Sequence, residues 1–485
     1  MVTQKPERIM RSVSIYARLT KKQYEIVDTL SFLSKNLYNV GLYNERQHYH
    51  NIKVSLDGLR PDLISPWMNT KKTYVPYTRK KDDPDKDYCN YNLSKVNENY
   101  GLLHSQSAQQ TLKSVEEGYI SFFKLMKLIA EGKYNQPAHL PHYLDKEKGR
   151  YKVAFPRNSL TIKDNLVTLG MSVRFRKLHG CTGKELTFKI PAYIKPHQVK
   201  EVTLLPIHKG KCYKVQFSYE IKKKPNVELD KTKYLGLDLG VNNFAAIVEN
   251  ATGTAILLDG KYLKSLNWRY NKENAKLQSI KDNQGITQLT HRQHRMLIKR
   301  DNCISEAFNR YVNFVVNHAV KHKIGNIVCL RWDGIKNKIN HGKQQNQNFV
   351  QIPFDKFRVR LEAKCKLYGI KYHGEDSEAY TSRTDALAYD EIKDQPYKNG
   401  RRDGRHYHSI TGVTFSSDIN GSMNQIRKVA GDSPVKEIAA YGRFNRPVRI
   451  HSSFETCGLT NKLQQSVVSQ MISSRCNPPV LTGGC

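Results

Sequence analysis

Residues 233–241 read KYLGLDLGV, a largely apolar extended run that contains one acidic residue, Asp238. Two further apolar runs follow at 244–249 and 254–259, and a tight turn precedes each of them. Strands that are apolar on both faces occupy the middle of sheets covered by helices. We therefore expect these three strands to open a mixed α/β sheet.

The pattern downstream continues this sheet. Helical periodicity covers about 268–321, a buried-type strand follows at 326–330, an amphipathic helix at 354–367 and a last strand at 370–373. The resulting order is strand, strand, strand, helix, strand, helix, strand. That order is typical of an RNase H-like fold, which we assign to a C-terminal α/β domain.

The first half of the chain shows a different pattern. Period-two alternation predicts strands at 13–19, 167–175 and 213–221. A 3.6-residue periodicity predicts helices at 23–45 and 106–129. We interpret this half as a small barrel or sandwich with a helical insertion at about 21–150. A basic linker at 222–225 closes it, so the fold class is multidomain α+β with a boundary near Pro225.

Charge points to the class of partner. The chain has 485 residues and a formal net charge of +35, from 79 Lys and Arg against 44 Asp and Glu. Such an excess repels itself unless a polyanion balances it, and nucleic acid is the commonest one. A ribosome-bound or membrane-surface protein is the alternative. No apolar run approaches the ~20 residues that cross a bilayer, so we expect a cytoplasmic, nucleoid-associated protein with no membrane partner.

The nine cysteines are scattered singly, and no two of them have C-x-x-C or C-x-C spacing. Structural zinc sites of the cysteine type use closely spaced pairs. Zinc is therefore not an expected cofactor.

Asp238 places a charge inside an apolar strand, which is unfavourable unless a cation compensates it. A divalent metal ion is the simplest such cation. The same G-x-D-x-G pattern also occurs in sugar-kinase and actin-type ATPases, in which the loop cradles phosphate. A nuclease, an ATPase and a structural turn all remain open at this point.

A second carboxylate, Asp418, lies where a loop feeds a predicted helix. Its local alternative is an N-cap that satisfies the first helical N–H groups. Paired with Asp238 it gains another role, because two-metal phosphodiester cleavage needs carboxylates from distant segments to hold ions about 3.5–4 Å apart.

A third carboxylate is expected after the fourth strand of such a sheet, yet residues 327–331 read IVCLR and contain none. The next strand, which should lie beside the fourth, is followed by GEDSE at 374–378. A glutamate leaving its end would reach the same ions. Glu378 is the best candidate, with Glu375 and Asp333 behind it, and a solvated acidic loop is the alternative.

Nucleic-acid contacts are predicted in two segments. The segment 335–349 is rich in amides and cations, which suits phosphate and sugar contacts, with a solvated loop as the alternative. Its candidates are Lys336, Lys338, Lys343, Asn346, Gln347 and Asn348. In the second segment, Arg443, Arg446 and Arg449 would hold a backbone while Tyr441 and Phe444 stack on bases.

Five stretches together resemble the TnpB family of transposon-encoded proteins, relatives of Fanzor and of the miniature type V CRISPR effectors. They read SQSAQQTLK (105–113), GLDLGVNN (236–243), NQNFVQIPF (346–354), EAYTS (378–382) and SDINGSMN (417–424). The resemblance spans roughly residues 10–430.

The resemblance implies a wedge-type β-barrel with a helical recognition insertion over 1–225, and a RuvC nuclease domain over 226–430. The implied insertions in the nuclease domain lie at about 268–321, which is helical, and at about 383–413, the nuclease lobe. That lobe often carries a four-cysteine zinc ribbon in this family, but none is present here. The resemblance does not extend to residues 431–485, a basic C-terminal tail that we expect to be partly disordered.

Site residues can be carried over one by one. Asp238 matches the first RuvC aspartate and Asp418 the last, while Leu330 or Arg331 occupies the place of the usual glutamate. Some branches, Fanzor among them, use a glutamate tens of residues later, and Glu378 matches that position. The resemblance therefore implies that Asp238, Glu378 and Asp418 bind two Mg²⁺ ions, for which Mn²⁺ substitutes.

The implied activity is RNA-guided cleavage of DNA. The implied partners are a guide RNA from the adjacent element and a DNA target with a short flanking motif. Three alternatives remain open: a nuclease-dead RNA-guided DNA-binding protein, a small type V CRISPR effector, and an ATPase of the actin or sugar-kinase type. A monomer and a homodimer on one RNA both fit the sequence.

Overall fold

The computed structural model describes residues 8–55, 97–134, 136–222, 228–331, 352–394 and 399–451. The chain forms two compact units, Met1–Lys222 and Lys223–Cys485. Their boundary falls at the basic linker that the sequence indicates.

The first unit combines antiparallel strands with two long helices. Its strands are β1 Arg8–Tyr16, β2 Val153–Pro156, β3 Leu160–Lys163, β4 Leu166–Leu169, β5 Thr187–Lys189, β6 Val199–Ile207 and β7 Cys212–Lys222. Its helices are α1 Lys21–Ser55, α2 Glu98–Leu102, α3 Ser105–Ala130 and α4 Val173–His179. Strands β1, β7, β6 and β2 form one sheet in that order, and β3, β4 and β5 form another.

Strand β1 pairs with β7 along its whole length, with Val13 opposite Phe217. This pairing confirms that the first strand is built jointly with strands much later in the chain. Helices α1 and α3 come between them in sequence and bury Leu30 and Leu112 in the same apolar core as Phe155 of β2.

Helix α4 occupies part of the stretch 167–175, for which alternation predicts a single strand. Strand β4 ends at Leu169, and α4 begins after Ser172, whose Oγ accepts a hydrogen bond from the Phe175 N–H at 3.0 Å. Serine at an N-cap satisfies an N–H that has no partner within the helix. Phe175 reaches the core from the helix while Val173 is 58% exposed, so the strand prediction is wrong beyond Leu169.

Replacing Ser172 tests this cap. Ser172→Ala removes the bond from Phe175 and another that Ser172 Oγ donates to the Leu102 carbonyl at 2.8 Å. We expect the unfolding free energy of the first unit to fall by about 1 kcal/mol, measured by urea denaturation. Ser121→Ala, on the exposed side of α3, should change it by less than about 0.5 kcal/mol. Equal losses in the two variants would argue against the cap.

The second unit is built on a central mixed sheet. The strands of this sheet are β8 Asp230–Leu239, β9 Asn243–Glu249, β10 Ala255–Asp259, β11 Ile324–Val328, β12 Lys371–His373 and β16 Val448–Ile450. Its helices are α5 Lys261–Asn283, α6 His291–Lys321, α7 Phe354–Tyr368, α8 Ser417–Ala430 and α9 Ser433–Tyr441. A separate antiparallel sheet contains β13 Gly400–Asp403, β14 His406–Ser409 and β15 Thr414–Ser416.

The central sheet has the strand order β12-β11-β8-β9-β10-β16. Strands β8, β9 and β10 are antiparallel neighbours, β11 is parallel to β8, and β12 is parallel to β11. One apolar core joins the sheet to α6 and α7 around Phe244, and a second joins it to α8 and α9 around Met423. The element order from β8 to β12 is the predicted one, except that residues 284–290 divide the predicted helix 268–321 in two.

Part of the predicted C-terminal tail is folded. Helix α9 follows Asp432, which accepts a hydrogen bond from Arg427 Nε at 2.6 Å, and β16 adds a sixth, parallel strand beside β10. The folded part of the second unit therefore includes residues 431–451, past the boundary at 430 that the sequence indicates. Among the described helices, none has the length and apolar content to cross a bilayer.

Candidate active site

Helix α8 lies directly against strand β8, and two glycines allow this close approach. A Cβ at Gly236 would lie 2.4 Å from the Ser422 carbonyl oxygen, and a Cβ at Gly421 would lie 2.6 Å from Asp238 Oδ2. Either contact would force the two elements apart or displace the carboxylate. The glycines thus bring Asp238 of the strand and Asp418 of the helix into one site.

Asp238 is mostly enclosed by protein and keeps part of its surface in contact with solvent. Burial, followed by the negative charge of Asp418, raises the pKa of Asp238 well above the ordinary value. The positive charge of Arg402 on β13 and a hydrogen bond of 3.3 Å from Gln425 Nε2 act in the opposite direction. The pair therefore favours a proton or a cation over two bare negative charges.

Asp418 lies in the first turn of α8, where the helix dipole favours a negative charge. The N-cap residue is Ser416, so the interpretation of Asp418 as the N-cap is wrong. Its Oδ2 accepts a hydrogen bond of 2.7 Å from Asn243 Nδ2, and Asn243 Oδ1 accepts one of 2.8 Å from Arg449 Nη1. From the sequence, Asn243 is not predicted as a site residue, and Arg449 is predicted only as a contact with a nucleic-acid backbone.

Gln425 connects Asp238 to the next strand. Its Nε2 donates to Asp238, and its Oε1 accepts from the Leu330 N–H at 3.1 Å. The Leu330 carbonyl accepts from Arg358 Nη2 at 2.7 Å, so both backbone groups of this residue are held. The sequence offers one signal for Gln425: its spacing from Asp418 and Gly421 puts all three on one helix face.

The same helix also holds the loop that carries Glu378. Lys428 Nζ donates to the carbonyls of Ser377 at 2.9 Å and Ala379 at 2.7 Å, the residues on either side of Glu378. Further along the loop, Asn420 Nδ2 donates to the Thr384 carbonyl at 2.7 Å, and Asn424 Nδ2 donates to the same oxygen at 2.7 Å. Helix α8 therefore anchors Asp238, Asp418 and the Glu378 loop together.

Glu378 lies beside Arg331, which follows the end of β11, the strand next to the one that carries Asp238. Ser377 forms a parallel bridge with Arg331, and the Glu378 N–H donates to the Arg331 carbonyl at 2.9 Å. Since β11 lies between Glu378 and β8, the Glu378 and Asp238 backbones are two strand spacings apart, roughly 10 Å. Burial lowers the pKa of Lys428, and the charges of Asp376 and Glu378 oppose that shift.

The structure brings Asp238 and Asp418 together, whereas Glu378 lies on the far side of β11 from Asp238. Within the described ranges, no group of three or more His, Cys, Asp or Glu side chains is arranged to hold a metal ion. Of the alternative acids, Glu375 is exposed, and its carbonyl accepts from Arg331 Nε at 3.0 Å. Asp333 lies outside the described residues.

The predicted nucleic-acid contacts are described only in part. Lys336, Lys338, Lys343, Asn346, Gln347 and Asn348 lie outside the described residues. Arg443 and Arg446 are exposed, as contacts with a backbone require. Phe444, however, is buried, with its ring 5.2 Å from that of Phe415, so its prediction as a base-stacking residue is wrong.

Gly421→Ala should disturb the position of the Asp238 carboxylate without destabilising the fold. Alanine is preferred to glycine inside a helix by about 1 kcal/mol, whereas its Cβ would displace the Asp238 carboxylate. We expect the melting temperature to change by only a few degrees and any activity that uses the Asp238 carboxylate to fall at least about tenfold. Gly101→Ala, whose Cβ meets only a side-chain atom of Arg174 at 3.6 Å, should keep full activity. Wild-type activity of Gly421→Ala would contradict this geometry.

Comparison with known proteins finds similarity to one family model and to one viral protein. Residues 216–330 match the family model OrfB_IS605, described as a probable transposase. The TnpB-like protein ORF457 of Acidianus two-tailed virus is 24% identical over 441 residues, which cover 83% of each chain.

Two solved structures have low similarity to this chain. One is a complex of Cas12f1 with sgRNA and target DNA, with a TM-score of 0.46 and 13% identity over 84% of this chain and 83% of that one. The other is the mini-RNA-guided endonuclease CRISPR-Cas_phi3, with a TM-score of 0.37 and 10% identity over 91% and 93% of the two chains. The family model and the viral relative agree with the sequence motifs, and the chain is similar to the TnpB family.

Proposed function

We propose that this protein is an RNA-guided DNA endonuclease whose site contains Asp238, Asp418 and Glu378. The observation that carries the proposal is the close pairing of two carboxylates from distant segments, Asp238 on β8 and Asp418 on α8. Similarity to the TnpB family supports the same activity.

The strand order supports a RuvC-type, RNase H-like layout for the second unit. Three antiparallel strands are followed by two parallel strands on the far side of the first one. In that layout the acid on the first strand faces a helix that comes much later in the chain, as α8 does here. The wedge-barrel assignment of the first unit is part of the same proposal and is supported by the pairing of β1 with β7.

The residues fit Mg²⁺. Two close carboxylates, one of them with a raised pKa, form a hard-oxygen site whose negative charge is offset only in part by Arg402. Gly421 keeps the space beside Asp238 Oδ2 free of side-chain atoms. Two bound Mg²⁺ ions, or Mn²⁺ in their place, would activate the attacking water and stabilise charge on the leaving 3′ oxygen.

The protein groups orient the site. Gln425 directs Asp238 by a hydrogen bond, Asn243 directs Asp418, and Lys428 fixes the backbone on both sides of Glu378. Glu378 would complete the ligand set when nucleic acid is bound, because its loop is already attached to the helix that carries Asp418. Arg402 contributes positive charge near Asp238 that favours an approaching phosphate.

The proposed partners are a guide RNA from the adjacent element and DNA with a short flanking motif. The net charge of +35 supports partners that are polyanions. Because the substrate is then DNA, we propose that the protein associates with the nucleoid. Mass photometry of the purified RNA complex would distinguish one copy from two on one RNA.

One observation favours a second function, a nuclease-dead RNA-guided DNA-binding protein. The position of the usual glutamate is Leu330 or Arg331, and the described residues contain no ready cluster of three acids. Cleavage decides between the two functions. The RNA that co-purifies with the full chain is sequenced, and the complex is mixed with plasmids that carry the matching target behind randomised flanking sequence.

We expect the wild-type complex to cut a subset of these plasmids in the presence of Mg²⁺, and Glu378→Ala to bind them without cutting. Glu375→Ala, in an exposed neighbour, is the matched control. Binding without cleavage by the wild type would support the nuclease-dead alternative. Transcripts that end at a transposon edge would indicate a transposon nuclease, and repeat-derived transcripts a small type V CRISPR effector. ATP turnover without nucleic acid would instead favour the ATPase.

A further inference from the structure

The side chain of Asn243 is a buried polar group beside the carboxylate pair, and both ends of its amide are hydrogen-bonded. It is 8% exposed, donates from Nδ2 to Asp418 Oδ2 and accepts at Oδ1 from Arg449 Nη1. The two partners fix the orientation of the amide, since a carboxylate only accepts and a guanidinium only donates. A flipped amide would face both partners with the wrong group.

The backbone of Asn243 is held as well. The turn from β8 to β9 is closed by hydrogen bonds from the Gly240 N–H to the Phe244 carbonyl at 3.1 Å and from the Gly260 N–H to the Asn242 carbonyl at 2.9 Å. Asn243 is the first residue of β9 and pairs with Asp259 at the end of β10. Its amide is therefore presented to Asp418 from a rigid part of the sheet.

Arg449 comes from the C-terminal strand β16, more than 200 residues later. It lies opposite Leu257 of β10, and two residues later His451 Nδ1 lies 3.0 Å from Asp259 Oδ2. The positive charge of Arg449 polarises the Asn243 amide and strengthens its donation to Asp418. Arg449 lies outside the residues that match the family model, whereas Asn243 lies within them.

We propose that Asn243 is a positioning residue for Asp418 and that the C-terminal strand, through Arg449, holds Asn243 in that role. The proposal rests on the proposed nuclease function, in which Asp418 binds Mg²⁺. The hydrogen bond fixes the plane of the carboxylate and occupies Oδ2. Partners of this kind around metal-binding carboxylates change metal affinity or activity by about 10- to 100-fold.

The test compares variants that differ in one hydrogen bond. Asn243→Asp keeps the size of the side chain and the acceptor for Arg449 but cannot donate to Asp418. Asn243→Ala removes both bonds, Arg449→Ala removes one, and Arg449→Lys keeps the charge. Asn445→Ala removes an exposed amide in the turn before β16 and is the matched control. The full chain in complex with its co-purified RNA is used throughout.

Two quantities are measured: the affinity for Mn²⁺ by calorimetry, and the rate of guided cleavage as a function of Mg²⁺ concentration. We expect Asn243→Asp and Asn243→Ala to bind Mn²⁺ about 10- to 100-fold more weakly and to need correspondingly more Mg²⁺, with DNA binding unchanged. Arg449→Ala should lose less Mn²⁺ affinity than the Asn243 variants. The affinity of Arg449→Lys should lie between those of Arg449→Ala and wild type, and the affinity of Asn445→Ala should equal that of wild type. Melting temperatures without metal identify any variant that fails to fold.

Wild-type or tighter Mn²⁺ affinity in Asn243→Asp would overturn the proposal while leaving the nuclease function intact. A wild-type complex that binds Mn²⁺ but cuts no guided target would overturn the nuclease function, and the Mn²⁺ affinities of the variants would still decide the role of Asn243. A wild-type complex that binds no Mn²⁺ would overturn both.

Discussion

Asp238→Ala should lower the rate of guided DNA cleavage by roughly a thousandfold or more. Asp238 supplies the central carboxylate of the site, and its neighbours Asp418 and Gln425 are oriented around it. DNA binding should be unchanged or slightly tighter, because base pairing with the guide carries recognition and the substitution removes a negative charge. Cleavage time courses and filter binding on the same complex measure both quantities.

The matched control is Asp282→Ala, which removes an exposed carboxylate at the end of α5 in the same unit. It should cut and bind as wild type does. Native-rate cleavage by Asp238→Ala would mean that the nuclease site lies elsewhere. Loss of DNA binding together with cleavage would mean that the substitution disturbs the fold or the RNA complex instead.

Asp238→Asn should stabilise the metal-free protein while abolishing cleavage. Burial and the charge of Asp418 raise the pKa of Asp238, so the folded state disfavours its ionised form. Replacing a poorly compensated, partly buried charge by a neutral group of the same size removes this unfavourable contribution to folding. We expect the melting temperature in EDTA at pH 8 to rise by a few degrees. Unlike wild type, the variant should gain little further stability on addition of Mg²⁺.

The stability of the metal-free protein should fall as pH rises, because of the raised pKa of Asp238. A carboxyl whose pKa is raised by folding binds its proton more tightly in the native state than in the unfolded state. The stability of the metal-free wild type should therefore fall as pH rises from about 4, the ordinary carboxyl value, through the raised pKa, and then level off. Asp238→Asn should lack this decline. Parallel stability curves for the two proteins, recorded by denaturant titration in EDTA, would contradict the account.

The position of the paired acids could be predicted because each stands out locally. Asp238 is a charge between apolar strand residues, and Asp418 opens a helix among small and amide residues. Their helix partners Asn420 and Asn424 are part of the quoted motif SDINGSMN, although their role in holding the Glu378 loop follows only from the structure. The central sheet could be predicted for a similar reason, since its strands are short apolar runs with clear turns between them.

Other features depend on contacts that local patterns do not encode. The bond from Arg449 to Asn243 joins residues 206 positions apart, and neither side chain differs locally from many others. Met171, Val173 and Phe175 alternate as strand residues do, but the cap at Ser172 and the burial of Phe175 favour a helix. Phe444 lies between arginines as a nucleic-acid contact would, yet the apolar surface around Phe415 removes it from solvent.

The contribution of Glu378 to the proposed metal site depends on how its loop is placed when nucleic acid is bound. Its loop is fixed to α8 by Lys428, while its backbone begins about two strand spacings from Asp238. A side chain of this length spans that gap only if it turns toward the pair. We therefore expect a small local rearrangement of residues 376–380 when nucleic acid binds, with no change in the strand order of the sheet.

Anomalous diffraction from Mn²⁺ in crystals of the complex with guide RNA and target DNA tests the central claim most directly. The account predicts two ions about 4 Å apart, both within about 2.6 Å of a carboxylate oxygen, with Asp238 and Asp418 among the ligands and Glu378 on one ion. Ions bound by other residues, or a Glu378 carboxylate that stays more than about 10 Å from both, would contradict it.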